Sequence, residues 1–141
     1  MQRRNATKVS LLLAALLPTT VLAQTTVTFG TSFTTTDDLI AAVDAYVDNP
    51  SDDTVVALEY GHPIGNWCVS EIEDFSYLFD ANRNPDMRFF NEDLTNWCTC
   101  SATDMSYMFA GATRFNGDIS GFVTSSVTSL AGMFEGASQC K

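Results

Sequence analysis

From residue 62 onward the apolar positions fall into copies of one short phrase. The stretch "EDFSYLFDAN" (73–82) recurs as "TDMSYMFAGA" (103–112) and again as "TSLAGMFEGA" (128–137). Within each copy Met, Leu or Phe occupies the same slots. Met105, Met108, Phe109 and Ala112 stand at i, i+3, i+4 and i+7, the spacing of one face of a short helix. Phe75, Leu78 and Phe79 repeat that face, as do Leu130, Met133, Phe134 and Ala137. The other half of each copy alternates, and it predicts three-residue strands near Trp67–Val69, Trp97–Thr99 and Phe122–Thr124.

The copies align on Trp67, Trp97 and Phe122. In register with these are Phe75, Met105 and Leu130, then Phe79, Phe109 and Phe134. These nine positions form the expected repeat core. The second spacing is 25 residues; the first is 30, the excess falling around the polar "NRNPDMR" (82–88). No copy can bury its apolar stripe alone, but stacked copies share a continuous core. The pattern therefore predicts a short right-handed α/β solenoid of two to three coils. Asn91 and Asn116, in "FNEDLTNW" (90–97) and "FNGDISGF" (115–122), are expected at turns, with amides that satisfy backbone groups. Val69, Thr99 and Thr124, or their outward neighbours, are the expected exposed strand positions.

The motif "F-N-x-D-[IL]-[ST]-x-W" followed by "M-S-x-M-F-x-x-A" resembles the BspA-like leucine-rich-repeat surface proteins, whose repeat is 25 residues long. The likeness runs from about Gly65 to Ala137. It departs from the family where Cys68 and Cys98 replace the usual acidic residue after Trp, and where the third copy stops at Cys140. The resemblance implies a leucine-rich-repeat-like fold and a secreted or cell-surface protein that binds or adheres.

Before the repeats, residues 1–23 read as a signal peptide. Arg3, Arg4 and Lys8 precede a short apolar run, Val9 to Leu17, and "VLA" precedes Gln24. Residues 24–36 are a Thr-rich lead, either flexible or a strand. Residues 37–61 read as a helical cap over the first coil. In its first helix Thr36 is the expected N-cap, Asp37 and Asp38 lie in the first turn, and Asn49-Pro50 ends it. In its second, Ser51 is the expected cap and Gly61 the stop. Residues 62–141 are the repeat region. At its end two readings stay open: a disulfide pins Cys140 back, or the chain is a truncated product of a longer surface repeat protein.

Without the signal peptide, Arg83, Arg88, Arg114 and Lys141 face all 17 acidic residues, a net charge of −13. That excludes nucleic acid as a natural partner. No later run is long enough to span a bilayer. Four cysteines in a secreted chain indicate disulfides. Sequence leaves their connectivity open; stacking would pair Cys68 with Cys98, and Cys100 with Cys140. His62, the one histidine, lies in the turn "YGHPIG"; a hydrolase pairing it with Cys68 or a carboxylate is the enzymatic alternative. The acidic pairs lack the alternating donors and glycine of a calcium loop. "NWC" at 66–68 and 96–98 is the rare Cys form of a glycosylation acceptor. No cofactor or metal is expected. The function expected is a non-catalytic module for an unidentified protein or glycan ligand.

Overall fold

A computed structural model describes residues 30–140 of the chain. The signal-peptide segment, most of the Thr-rich lead and Lys141 lie outside the described residues. Helix α1 spans Thr36–Asp48. Its N-cap is Thr35, one residue before the expected Thr36; the Thr35 hydroxyl accepts the Asp38 N–H at 3.1 Å. Asp37 and Asp38 face the positive end of the helix dipole. Leu39, Ala42, Val43 and Tyr46 form its buried stripe. Helix α2, Val55–Tyr60, is shorter than the sequence predicts, and Thr54 rather than Ser51 caps it through the Ala57 N–H. It ends at Gly61. Short 3-10 turns follow at Ile64–Asn66 and Pro85–Phe89.

The described part of the lead is a strap. Thr31 donates to the Glu59 carbonyl and Phe33 to the Cys68 carbonyl. Phe33 is buried and stacks on Tyr60 at 4.1 Å.

The expected leucine-rich-repeat-like α/β solenoid does not form. Among the described residues there is no sheet, and the only β pairing is two isolated parallel bridges, Asp74–Asp104 and Asp104–Ser129. Neither the strands expected at 67–69, 97–99 and 122–124 nor the repeat helices are present. Each "helix" is instead a run of overlapping turns. In the second copy Met108 donates to the Met105 carbonyl and Ala110 to the Tyr107 carbonyl, an i+3 pattern on alternate residues. The intervening residues point their N–H groups at the next copy. Phe75, Tyr77, Phe79 and Ala81 donate to Asp104, Ser106, Met108 and Ala110; Met105, Tyr107, Phe109 and Gly111 donate to Ser129, Ala131, Met133 and Glu135.

Local chemistry explains why turns win. The Asp104 carboxylate takes the Ser106 N–H at 2.7 Å, and Asp74 takes Ser76 at 2.8 Å, which holds these residues in Asx turns. Tyr77 and Tyr107 have φ of 58° and 55°, in the left-handed region that a right-handed helix does not contain. The equivalent third-copy residue is Gly132, at 61°, where the conformation is free of the Cβ penalty. A turn run still buries i, i+3 and i+4, so the apolar spacing is common to both structures.

The inward positions stack copy on copy. Phe79, Phe109 and Phe134 lie nearly parallel, with centroids 5.2 and 5.5 Å apart. Trp67 and Trp97 are buried, and their indole N–H groups donate to the Gly61 and Ile64 carbonyls, each at 2.8 Å. Phe75 and Met105 are fully buried. Their third-copy equivalent Leu130 is not: it is 50% exposed, and Phe122 and Phe134 are half-buried. The core thins because nothing described lies beyond the third copy.

Candidate functional site

The outward face of the stack begins with the turn residues. Tyr77 and Tyr107 point away from the phenylalanine column, and their rings stack 5.2 Å apart at 10°. Tyr77 is 45% exposed. Tyr107 is half-buried because its far face covers Gly132, where any Cβ would run into the ring. A left-handed backbone costs a non-glycine residue about 1–2 kcal/mol. Cross-copy N–H bonds from both tyrosines and the stacking of their rings offset that cost. The result is an aromatic column on the surface, beside the Asx-turn carboxylates of Asp74 and Asp104.

Those carboxylates have structural work. Asp93 caps Thr95 and Asp118 caps Ser120 in the same way as Asp74 and Asp104. The Ser120 N–H, followed by its hydroxyl, holds the Asp118 carboxyl below its usual range. Among the described residues no group of acidic, His or Cys side chains is arranged to hold a metal ion. The sequence shows the signal for these turns, D-x-[ST] at matching places in the copies.

Asn91 and Asn116 are stacked neighbours: the Asn91 side-chain oxygen accepts the Asn116 N–H at 2.6 Å. Of the expected outward positions, only Thr124 is exposed; Val69 and Thr99 are buried. Thr99 is turned inward by its own bonding, since its hydroxyl donates to the Val123 carbonyl and accepts the Val123 N–H.

The cysteine pairing also needs correction. Cys98 bonds Cys100, two residues away within one turn, while Cys68 and Cys140 are free and exposed. Cys68 faces Ser32 of the strap and Ser70, not the next copy. The Ser32 hydrogen bond lowers the Cys68 thiol pKa below 9.0, against opposing burial, with further help from Ser70. His62 is exposed at the turn, and its ring lies 5.9 Å from that of Tyr46. Among the described residues no hydrogen bond joins His62 to Cys68 or to a carboxylate.

At the far end of the stack, Asn116, Asp118, Ile119, Phe134 and Cys140 line a surface concavity. A second lies between Tyr46 of α1 and Phe89–Glu92, with Arg114 set over the Phe89 ring at 5.1 Å. No described helix is long and apolar enough to cross a membrane.

A stack of turn-built copies with an aromatic outward column is the class of molecule these features define. The chain belongs to the family described as Mycoplasma protein of unknown function, DUF285, whose model matches residues 53–141. That span takes in α2 and all three copies. No curated protein and no solved structure matches the chain.

Proposed function

We propose that this is a secreted or cell-surface interaction module of the BspA-like kind, non-catalytic, that binds a protein or glycan ligand. The reading draws support from the repeat motif and the signal-peptide pattern. The observation that carries it is the Tyr77–Tyr107 column. Two tyrosines occupy a costly backbone conformation and, in exchange, present aligned rings at the surface. Strained residues persist where the fold over-determines them, and they gather at ligand sites. An aromatic face flanked by carboxylate and hydroxyl groups suits the C–H faces and hydroxyls of a sugar, or the apolar and basic side chains of a protein.

Glycan and protein arrays probed with the oxidised chain test this. The Tyr77→Asn/Tyr107→Asn double variant removes the rings while keeping residues that tolerate a left-handed backbone. Ligand retained by the parent chain and lost by the variant is the expected result. Ligand held equally by both, or no ligand on either array, would overturn it.

A further inference from the structure

The Cys98–Cys100 disulfide joins residues only two apart, so it ties no separate parts of the fold together. A crosslink constrains the unfolded chain less the shorter the loop it closes, and this loop holds Thr99 alone. The turn is also held without the sulfurs. Thr99 is fully buried; its hydroxyl donates to the Val123 carbonyl at 3.1 Å and accepts the Val123 N–H at 2.8 Å. Before it, Trp97 donates to the Leu94 carbonyl. After it, Ala102 donates to the Thr99 carbonyl, and the Ser101 hydroxyl to the Ser70 carbonyl of the preceding copy. The two sulfur-bearing residues differ in access: Cys100 is exposed and Cys98 is half-buried. Their column neighbour Cys68 is turned to Ser70, 3.7 Å from its hydroxyl.

We propose that Cys98-Thr99-Cys100 is a thiol–disulfide exchange site whose substrate is a thiol of a second molecule. Exposed disulfides that do not brace a fold are the ones open to exchange. The substrate thiolate attacks the exposed Cys100 Sγ. A new S–S bond forms there as the Sγ–Sγ bond breaks, and Cys98 leaves with the electron pair and takes a proton from solvent. A second substrate thiolate then attacks the sulfur of the first. The substrate departs as a disulfide, and Cys100 leaves as a thiolate and takes the second proton. Two substrate thiols are thereby oxidised to one disulfide while the chain's disulfide is reduced to two thiols. The reverse sequence recharges the site. Thr99, clamped on Val123, keeps both cysteines in place through the cycle, so the repeats stay stacked in either state. This inference goes beyond the interaction-module reading and does not depend on the tyrosine column.

The full chain carrying Cys68→Ser and Cys140→Ser, both exposed positions, leaves this pair as the reacting sulfurs. The probes are excess reduced glutathione and a short peptide with one cysteine. Each should reduce the folded chain within about tenfold of its rate on the urea-unfolded chain, because Cys100 is already accessible. The faster probe, at equal thiolate concentration, tells a small-molecule substrate from a protein one. Acid quenching and peptide mapping should find the probe on Cys100 with Cys98 free. The reduced chain should keep a cooperative melt and a slowly exchanging Val123 amide, and oxidised glutathione should restore the Cys98–Cys100 bond. Reduction slower than that in the folded chain, a probe found on Cys98, or loss of the melt or of Val123 protection on reduction would overturn the inference. Array binding through the tyrosines would survive each of those results, so the two readings fail separately.

Discussion

Arg83 holds Asp44 through both guanidinium arms, at 2.7 and 2.9 Å, across 39 residues of sequence. The same guanidinium donates to the Tyr77 and Leu78 carbonyls. One side chain thus ties α1 to the first copy and bonds the Leu78 carbonyl, the equivalent of the Met108 carbonyl that takes the Phe79 N–H one copy on. Arg83→Leu should therefore lower stability by about 1–3 kcal/mol, the range for charge-assisted hydrogen bonds. Urea unfolding measures this, with an unchanged m-value expected if only the joint is lost.

The pair also sets a pH dependence. Partial burial pushes the Asp44 carboxyl up, but hydrogen bonds from Arg83 and Asn84 and the Arg83 charge outweigh it, leaving the pKa below 3.8. The unfolded chain then takes up the proton first on acidification. The stabilisation is complete above 3.8 and is lost as pH falls through the lower folded-state value. Asp44→Asn should be less stable than the parent above about pH 5, with the gap narrowing toward about pH 2. A gap that is constant with pH would contradict this assignment.

Copies approach closely where a glycine permits it. A Cβ on Gly121 would collide with the Thr95 carbonyl of the preceding copy, which is backbone and cannot rotate away. Gly121→Ala should cost about 1–3 kcal/mol, as overpacking does. A melting temperature equal to the parent's would show that the copies are not so closely stacked.

How much of this was legible in the residues differs from one feature to the next. Phe79, Phe109 and Phe134 recur in register, and their stacking follows from that recurrence. Met105 and Met108 read as inward-facing and are buried. The backbone between them was not legible from the same signal, because helix and overlapping turns both bury i, i+3 and i+4. Two residues carried the missing information. Asp104, two before Ser106, marks an Asx turn, and Gly132 in the tyrosine column marks a left-handed backbone. The exposure of Leu130 follows from its place at the end of the stack, which its own copy does not reveal. Cys98 was out of reach for a similar reason: its column places it beside Cys68, whereas its turn places it beside Cys100.

Cysteine chemistry separates the two pairings directly. Alkylation of the native chain should label Cys68 and Cys140 and spare Cys98 and Cys100. Cys68 should react as a thiol with a pKa below 9.0, and Ser32→Ala should raise that value by removing its main hydrogen bond. A peptide map joining Cys68 to Cys98 would contradict the arrangement described above.

The central claim is that the repeats are stacked turns whose alternate N–H groups bond the next copy. Native-state hydrogen exchange reads that pattern residue by residue. Tyr77, Phe79, Tyr107 and Phe109 should be protected, and their third-copy equivalents Gly132 and Phe134 should exchange freely in the unliganded chain. Consecutive protected amides along 105–110 and 130–135 alike, as helices would give, would contradict it.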